Sequence, residues 1–570
     1  MNETHSTHAS AGGDYVPGQA PTNGKYNILF ILVDQERLFR PGELPIGYSL
    51  PGHERLMRSG TTFLNHRINS CVCTSSRAVI YTGQHIQQTK MFDNTNFPWI
   101  QSLSTDVPTV GKMLRDAGYY SAYKGKWHLT KEFETVNKLG SPTKIFTEEM
   151  EAYGFSDHFG VGDIIAHNRG GYKHDGVIAS MGVSWLRGKG RDLAAQGNPW
   201  FLAVNLVNPH DVMFYDTDAP GTPQRKPPGL APIERDPVDP LYAKRWDFDL
   251  PVSHQEPLDA PGRPAAHLDY LKSHDWMVAP VANEEERWRR RHNYYLNCIR
   301  DVDRNIATLL EELDAAGLTE STIVILTADH GDIDGAHQLH SKGATGYREQ
   351  NNVPFIVSHP AYPGGKECRA ITSHLDIAPT LVSFANAPDE KRKSLTAALP
   401  GKDFSGLLAA PERAEVNALH DAVLFNYNMF AYIDGEFMRK GVEYLHSGGN
   451  PKELAATGVR PDLMKRGAVR SIFDGRYVFN RYFSPKQHNT PDAIEALYQF
   501  NDVEIFDTAS DPHEMNNLAL DRSKSAELAL ALNEKMNRTI AAEVGEDRGQ
   551  MLPGGIDAGW EVTRETLAGF

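Results

Sequence analysis

The stretch YNILFILVDQ, residues 26–35, passes from an almost unbroken apolar run directly into an acid and an amide. Such a run is typical of a strand buried on both faces of a parallel sheet. Four further runs share this character: residues 119–123, 200–207, 321–327 and 353–358. Apolar residues at helical spacing occur between them, most clearly in residues 108–117 and 284–316. The alternation predicts an α/β fold with a mostly parallel sheet between helices.

The length of 570 residues favours two packed regions over a single core. We expect a flexible tail at residues 1–24, an α/β domain at 25–414, and a smaller α+β domain with its tail at 415–570. The smaller domain is indicated by strand-like runs at 468–473, 476–482 and 504–506 and by an amphipathic pattern at 524–544. Residues 211–283 contain 12 of the 35 prolines, which indicates an insertion that covers the site or forms a subunit contact.

Charge and cysteine content exclude several classes of protein. A net charge of −15 argues against nucleic-acid binding and requires local positive charge to attract an anionic substrate. Four cysteines are too few for a disulfide framework. The polar first 24 residues do not resemble a signal peptide and no apolar run has the length of a membrane span, so we expect a cytoplasmic protein without a membrane partner. The long tail after residue 545 favours a homo-oligomer.

Polar residues follow four of the predicted strands. They are Asp34, Gln35, Lys124, Lys126, His128, Asn208, His210, Asp329 and His330. Ligands of open α/β sheets bind at the carboxyl ends of the strands, so we expect these side chains to converge on one rim. Asp34, Asp329 and His330 would provide two carboxylates and an imidazole for a divalent cation. A single acidic residue after a strand is also common as a cap of the following loop, so each of these residues alone is weak evidence for a metal site.

The segment CTSSR, residues 73–77, leads into AVIYTGQHI, residues 78–86, which has the pattern of a helix. A nucleophile or an oxyanion at a helix N-terminus faces unsatisfied N–H groups and the positive end of the helix dipole. The alternative is a small buried thiol. Arg77 favours the first interpretation, because a guanidinium one turn further on can bind an anion in a fork. Together with Lys126 and Lys342, it indicates a site for a tetrahedral oxyanion.

Five segments resemble signatures of the type I sulfatase family. They are CTSSR at 73–77, similar to the Cys-x-Pro-Ser-Arg motif whose cysteine is oxidised to formylglycine, GKWHL at 125–129, ADHGDIDGAHQLHSKG at 328–343, LDIAPTLV at 375–382 and EIFDTASDPHEMNNLA at 504–519. Their order and spacing resemble the family from about residue 26 to residue 520. An Asp-Gln pair like the one at 34–35 occurs in choline sulfatase and phosphonate monoester hydrolase relatives, and MFDNTNFP at 91–98 faintly resembles the choline sulfatase branch.

The resemblance implies an alkaline-phosphatase-like α/β core, a small C-terminal domain with an antiparallel sheet, and roles for individual residues. The implied ligands of one divalent cation are Asp34, Gln35, Cys73, Asp329 and His330. The implied contacts of the sulfate oxygens are Lys126, His210 and Lys342. Arg77 would steady the hydrated aldehyde of residue 73, and His128 would hydrogen-bond to the nucleophile.

The implied reaction is hydrolysis of a small-molecule sulfate monoester to an alcohol and inorganic sulfate. One hydroxyl of the hydrated aldehyde attacks sulfur, and the cations hold charge on the sulfuryl oxygens. His210 or Lys342 protonates the departing alcohol, and His128 takes the proton of the second hydroxyl as sulfate leaves. A formylglycine-generating enzyme must first oxidise Cys73.

Two positions depart from the family pattern. Ser75 stands where the signature has Pro, inside the motif that the modifying enzymes recognise. Gln35 replaces the more common second Asp and lowers the charge of the ligand set by one. Calcium is the usual ion of Asp-Asp sulfatases, whereas His330 favours manganese or another transition ion, so we expect Ca²⁺ or Mn²⁺.

Other functions are compatible with the same residues. The site could cleave phosphonate monoesters or phosphodiesters, because a fold does not fix the substrate. An unmodified Cys73 would give a catalytically silent binder of sulfated ligands, or a thiol hydrolase that uses His128. We expect the pocket to be walled by residues 85–105, by the insertion and by the C-terminal domain, with Asn94, Asn96 and Trp99 as candidate substrate contacts.

Overall fold

The computed structural model describes residues 19–21, 24–133, 144–160, 162–163, 167–223 and 229–555. Most of the predicted tail at 1–24 and the end of the chain after residue 555 lie outside these ranges. Among the described residues, no helix combines the length and apolar character that a membrane crossing requires.

A seven-stranded sheet forms the centre of the molecule. Its strands are β1 (Asn27–Asp34), β2 (Thr61–Arg67), β3 (Tyr120–Gly125), β4 (Trp200–Pro209), β5 (Thr322–Ala328), β6 (Phe355–Ser358) and β7 (Lys366–Ser373). The order is β3-β4-β1-β5-β6-β2-β7, and every neighbouring pair is parallel except those that include β6. The predicted mostly parallel sheet is therefore confirmed, and β1 lies at its middle with all eight residues buried.

Two strands of this sheet, β2 and β7, carry no sequence pattern that predicts them. The sequence of β7, KECRAITS, begins with charged residues, and three of its first four side chains are exposed or half-buried. It forms the edge of the sheet, where only one neighbouring strand is available. A polar edge strand of this kind does not produce the apolar run that marks a central strand.

Helices cover the sheet, as the sequence predicts. They are α1 (Pro51–Ser59), α2 (Cys73–Thr82), α3 (Ile86–Thr89), α4 (Val110–Asp116), α5 (Gly170–Trp185), α6 (Arg191–Ala195), α7 (Ala265–Met277), α8 (Glu285–Ala315), α9 (Arg348–Asn351), α10 (Ile377–Phe384), α11 (Asp389–Thr396), α12 (Gly435–His446), α13 (Ile494–Phe500) and α14 (Arg522–Glu543). The 31-residue α8 matches the helix predicted at 284–316. It buries an apolar stripe that includes Val302, Ile306 and Leu310.

A second, four-stranded antiparallel sheet follows in the chain. Its strands are β8 (Val423–Tyr427), β9 (Ala468–Phe473), β10 (Tyr477–Phe483) and β11 (Asn501–Asp507), in the order β11-β10-β9-β8. Leu424 and Ile472 belong to a core that α14 completes with Leu532. Other side chains of the same sheet, such as Phe425, join the main core. The small C-terminal sheet is confirmed, and the boundary at residue 415 stays a prediction.

Candidate active site

The end of β1 and the end of β5 bring two carboxylates together. These strands are parallel neighbours, and Val33 pairs with Ala328 at their carboxyl ends. The next residues along each strand are Asp34 and Asp329, and both are fully buried. The backbone N–H of Gln35 donates to the Asp329 carboxylate at 3.1 Å, which holds the two strand ends in register.

Cys73 is the first residue of α2, and the helix presents it to this pair of acids. Its Sγ lies 3.6 Å from Asp34 Oδ1 and 3.2 Å from His330 Nε2. Ligand atoms of Asp34, Cys73, Asp329 and His330 all lie within 4.8 Å of one another. Four donors from three separate segments therefore face one point.

The protonation of His330 suits a metal ligand. Its Nδ1 lies 3.0 Å from the carbonyl oxygen of Gly331, which can only accept, so Nδ1 carries the proton. The lone pair of Nε2 is then directed at the cluster. A second hydrogen bond that fixes the imidazole in this way is the usual arrangement of metal-binding histidines. The donor set, two carboxylates and one neutral imidazole beside Cys73, fits a divalent cation.

Two cations balance the buried acids. Arg77 donates from Nη2 to Asp34 at 3.2 Å and from Nε to Asp329 at 3.0 Å. Lys126 donates to Asp34 at 2.6 Å. Burial raises the pKa of Asp34, but Lys126 and Arg77 outweigh it and hold that pKa well below its ordinary value. Burial and the neighbouring Asp34 raise the pKa of Asp329 to about 6.

Gln35 and Lys342 form the next part of the rim. The Gln35 amide nitrogen donates to Asp332 at 2.6 Å, and its carbonyl oxygen accepts a hydrogen bond from the Lys342 ammonium. Asp332 also accepts from Arg291 at 2.9 Å. The amide of Gln35 is therefore held with its oxygen toward Lys342, on the side of the site that carries the cations.

A cavity of about 270 Å³ opens above Cys73. Its polar lining consists of Cys73, Asn94, Asn96, His128, His210 and Lys342. The other lining residues are apolar or aromatic: Val72, Phe97, Met213, Phe214, Leu230, Ala231, Pro232, Met277, Val278, Met429, Tyr432 and Met438. The three segments that we expected to wall the pocket all contribute to it. The cavity thus has a polar, cationic floor and apolar walls.

The two histidines of the floor are neutral bases. Burial lowers the pKa of His128 well below its ordinary value, and Lys126 and Arg77 lower it further. Burial, Lys342 and Lys126 do the same for His210. Within the described ranges, neither ring nitrogen of His128 has a hydrogen-bond partner. Its imidazole is therefore available to a ligand in the cavity.

Some predicted residues lie elsewhere. Lys124 is still within β3, and its ammonium donates to the carbonyl oxygen of Asp157, whereas Lys126 lies beyond the strand end and turns into the site. The Asn208 side chain lies 3.3 Å from the Tyr242 hydroxyl. Trp99 donates to Asp93 at 2.9 Å and is not among the residues that line the cavity. The expectation that every strand-end side chain converges is thus wrong for Lys124 and Asn208.

Asp163 and Asn205 support the site but were not predicted. Asp163 accepts from the backbone N–H groups of Trp127 at 2.6 Å and His128 at 2.8 Å, and so fixes the turn that presents His128. Burial raises its pKa to about 6. Asn205 accepts from Arg77 at 3.2 Å. Both contacts are distant in sequence, so no local pattern indicates them, although Asn205 does interrupt the apolar run of β4.

The chain is similar in sequence to sulfatases and similar in fold to a phosphonate monoester hydrolase. The sequence model of the sulfatase family matches residues 26–387. The choline-sulfatase of Rhizobium meliloti is 25% identical over 464 residues, which cover 76% of this chain and 80% of that protein. An endo-4-O-sulfatase of Bacteroides thetaiotaomicron is 23% identical over 497 residues, 83% of this chain and 82% of that one. The solved structure of a phosphonate monoester hydrolase from Silicibacter pomeroyi has a TM-score of 0.59 at 17% identity and covers 92% of this chain and 97% of its own.

Proposed function

Because the chain belongs to the sulfatase family and is a sulfuric ester hydrolase, we propose that the cavity above Cys73 cleaves a sulfate monoester to an alcohol and inorganic sulfate. The observation that supports this most is the position of Cys73. It begins α2, contacts Asp34 and His330, and lies on the cavity floor with Lys342. A sulfuryl group above residue 73 would meet positive charge and a candidate nucleophile together.

We propose that Asp34, Asp329 and His330 hold a divalent cation, Ca²⁺ or Mn²⁺, with residue 73 and Gln35 as further ligands. Such an ion supplies Lewis-acid stabilisation of negative charge on the sulfuryl oxygens. The ion would also relieve the repulsion between the two buried carboxylates, which raises the pKa of Asp329. Arg77 already binds both acids and holds them in place for it.

We propose that Cys73 is converted to formylglycine by a formylglycine-generating enzyme. The aldehyde of formylglycine adds water to form a hydrate, which offers two hydroxyl groups in place of the thiol. His128 is neutral and unpartnered among the described residues, so it is the base that accepts the hydroxyl proton. Lys342 is the better acid for the departing alcohol, because the lowered pKa of His210 leaves that imidazole neutral. Lys126 and His210 then hold the sulfate oxygens.

The walls of the cavity support a substrate whose alcohol part is apolar, such as an aryl group. Among the described residues that line it, none is acidic, and Lys342 is the only one with a charged side chain. A hydroxyl-rich sugar would leave its hydrogen-bonding groups unpaired against methionine and phenylalanine side chains. Asn94 and Asn96 also line the cavity, and their side-chain amides can orient the substrate.

Replacement of Leu230 tests the apolar wall. Leu230 lines the cavity and is 46% exposed, so Leu230→Ser leaves the core intact. We expect kcat/KM for an aryl sulfate to fall about tenfold, the usual effect of a lost apolar contact with the substrate. The control is Met464→Ser, a replacement at a similarly exposed residue, 53% against 46%, outside the cavity. Equal kcat/KM values for the two variants would contradict the proposed apolar contact between Leu230 and the substrate.

The phosphonate monoester alternative uses the same site, and the solved phosphonate monoester hydrolase shares the fold. The test is the ratio of kcat/KM for an aryl sulfate to that for the matching aryl phenylphosphonate. We expect the ratio to exceed one. A ratio below one would favour phosphonate hydrolysis, and no turnover of either ester would favour the silent binder of sulfated ligands.

The homo-oligomeric state and the cytoplasmic location of the protein stay predictions.

Metal removal is expected to abolish turnover. Dialysis against a chelator should reduce aryl sulfate hydrolysis to background, and Mn²⁺ or Ca²⁺ should restore it, because the two buried acids then regain their counter-ion. The matched measurement is a circular-dichroism spectrum of the chelated protein, which should be unchanged. Full activity in the metal-free protein would contradict the role given to Asp34 and Asp329.

A further inference from the structure

A second group of metal-binding side chains lies outside the proposed active site. It consists of His274 and Asp275 on α7 and His340 in the loop after β5. Ligand atoms of the three residues lie within 4.8 Å of one another. The His340 Nε2 atom lies 3.6 Å from Asp275 Oδ1, and the rings of His274 and His340 are 4.6 Å apart at an angle of 84°.

Four polar atoms of this group have no hydrogen bond to any described residue. Among the described residues, both ring nitrogens of His274, Nε2 of His340 and Oδ1 of Asp275 are buried without a hydrogen bond. The residues His274 and His340 are 1% and 2% exposed. Buried polar atoms without hydrogen bonds are costly, and so many in one place call for a bound ion or an ordered water.

We propose that His274, Asp275 and His340 bind one Zn²⁺ ion. Two imidazoles and a carboxylate are typical ligands of zinc, which binds nitrogen and oxygen at about 2.0–2.2 Å. Tetrahedral geometry at that length separates neighbouring ligand atoms by about 3.3 Å, and the His340–Asp275 separation of 3.6 Å is close to it. Small side-chain rotations bring the third ligand to the same point.

A fourth coordination position is open to a small cavity. This cavity, of about 130 Å³, is lined by both histidines together with Asp216 and Asp218. The guanidinium of Arg291 also lines it, but that charge is taken up by Asp332 at 2.9 Å and by Asp334 at 2.5 Å. A water molecule from the cavity can therefore complete a tetrahedral site.

The proposed ion would connect α7 to the loop that contains His340, and both segments lead to the cavity above Cys73. α7 belongs to the Pro-rich insertion, and its last residue, Met277, lines the cavity above Cys73. His340 lies two residues before Lys342, which lines the floor of the same cavity. An ion shared by α7 and this loop joins the apolar wall to the cationic floor. It would stabilise the folded chain by mass action, because the unfolded chain does not bring the three residues together.

Zinc titration of the full chain tests the proposal. After treatment with a chelator, the protein is titrated with Zn²⁺ against a chromophoric chelator, and bound metal is counted by elemental mass spectrometry. We expect two equivalents in the unaltered protein, one at Asp34, Asp329 and His330 and one at the new site. The variants H274N, H340N and D275N should each keep one tight equivalent, with the second weakened at least about tenfold. Zinc should raise the Tm of the unaltered protein more than that of D275N.

Two further variants make the result specific. H267N removes a different buried histidine of α7, one that contacts Tyr482, and should still bind two equivalents. D329N removes a ligand of the active site and should keep the new site. D275N replaces a side chain that is 27% exposed, so it tests the proposal even if a histidine variant fails to fold. The same number of tight Zn²⁺ equivalents in the unaltered protein as in D275N and H340N would overturn the proposal.

Discussion

Cys73→Ala is expected to lower kcat/KM for an aryl sulfate by about 10⁴- to 10⁶-fold, the loss that follows removal of a catalytic nucleophile. The proposed mechanism gives no other group that could form the bond to sulfur, since His128 accepts a proton, Lys342 donates one and Lys126 binds the sulfate oxygens. Initial rates at several substrate concentrations, with the folded state checked by circular dichroism, measure the effect. Cys73→Ser should be nearly as inactive, because the modifying chemistry that we propose starts from a thiol.

Cys71→Ala is the matched control. Cys71 is a second fully buried cysteine two residues away, and it is not among the residues that line the cavity. Its replacement leaves a cavity of one sulfur atom and should reduce stability slightly while activity persists. If Cys73→Ala retained a tenth of the activity, or if both replacements were equally damaging, residue 73 would not be the nucleophile.

Arg77→Met is expected to lower the free energy of unfolding by about 3–5 kcal/mol in metal-free buffer, the usual cost of removing one partner from a buried ion pair. Arg77 is completely buried and donates to both Asp34 and Asp329. Without it, Lys126 still compensates Asp34, but Asp329 loses its cation. Denaturation by urea, followed by fluorescence, measures the loss. Metal should recover part of it, because a bound cation compensates the same two acids.

Arg55→Met is the comparison for this experiment. Arg55 pairs with Asp314 at 2.7 Å, but the two side chains are 31% and 50% exposed. A surface pair of this kind contributes less than about 1 kcal/mol, so this variant should unfold almost like the unaltered protein. Equal stability losses in the two variants would mean that Arg77 does not neutralise a buried pair of acids.

The sequence predicts those parts of the fold and site that depend on local pattern. Apolar runs mark β1, β4 and β5 because these strands are covered on both faces, and the residues after them lie at the carboxyl ends where a site forms. The apolar pattern at 78–86 also predicts a helix after the CTSSR segment, although α2 already begins at Cys73 and ends at Thr82. Most of the reactive residues therefore come from short stretches.

Local sequence patterns do not predict contacts between segments that are distant in the chain. Asp163 supports His128 through backbone hydrogen bonds that join segments about 35 residues apart, and nothing near Asp163 indicates that partner. His274 and His340 come together only because α7 packs beside the loop after β5. The apolar wall likewise combines residues near 97, 213, 277 and 429, each of which alone has the character of ordinary core.

The mass of the peptide that contains Cys73 tests the central claim most directly. Trypsin should release residues 68–77, INSCVCTSSR, from protein purified from its native source, and fragmentation separates Cys71 from Cys73. Our account predicts an unmodified thiol at Cys71 and, at residue 73, an aldehyde or its hydrate in which oxygen replaces the thiol sulfur, with Ser75 tolerated in the motif. A wholly unmodified thiol at Cys73 in catalytically active protein would contradict it.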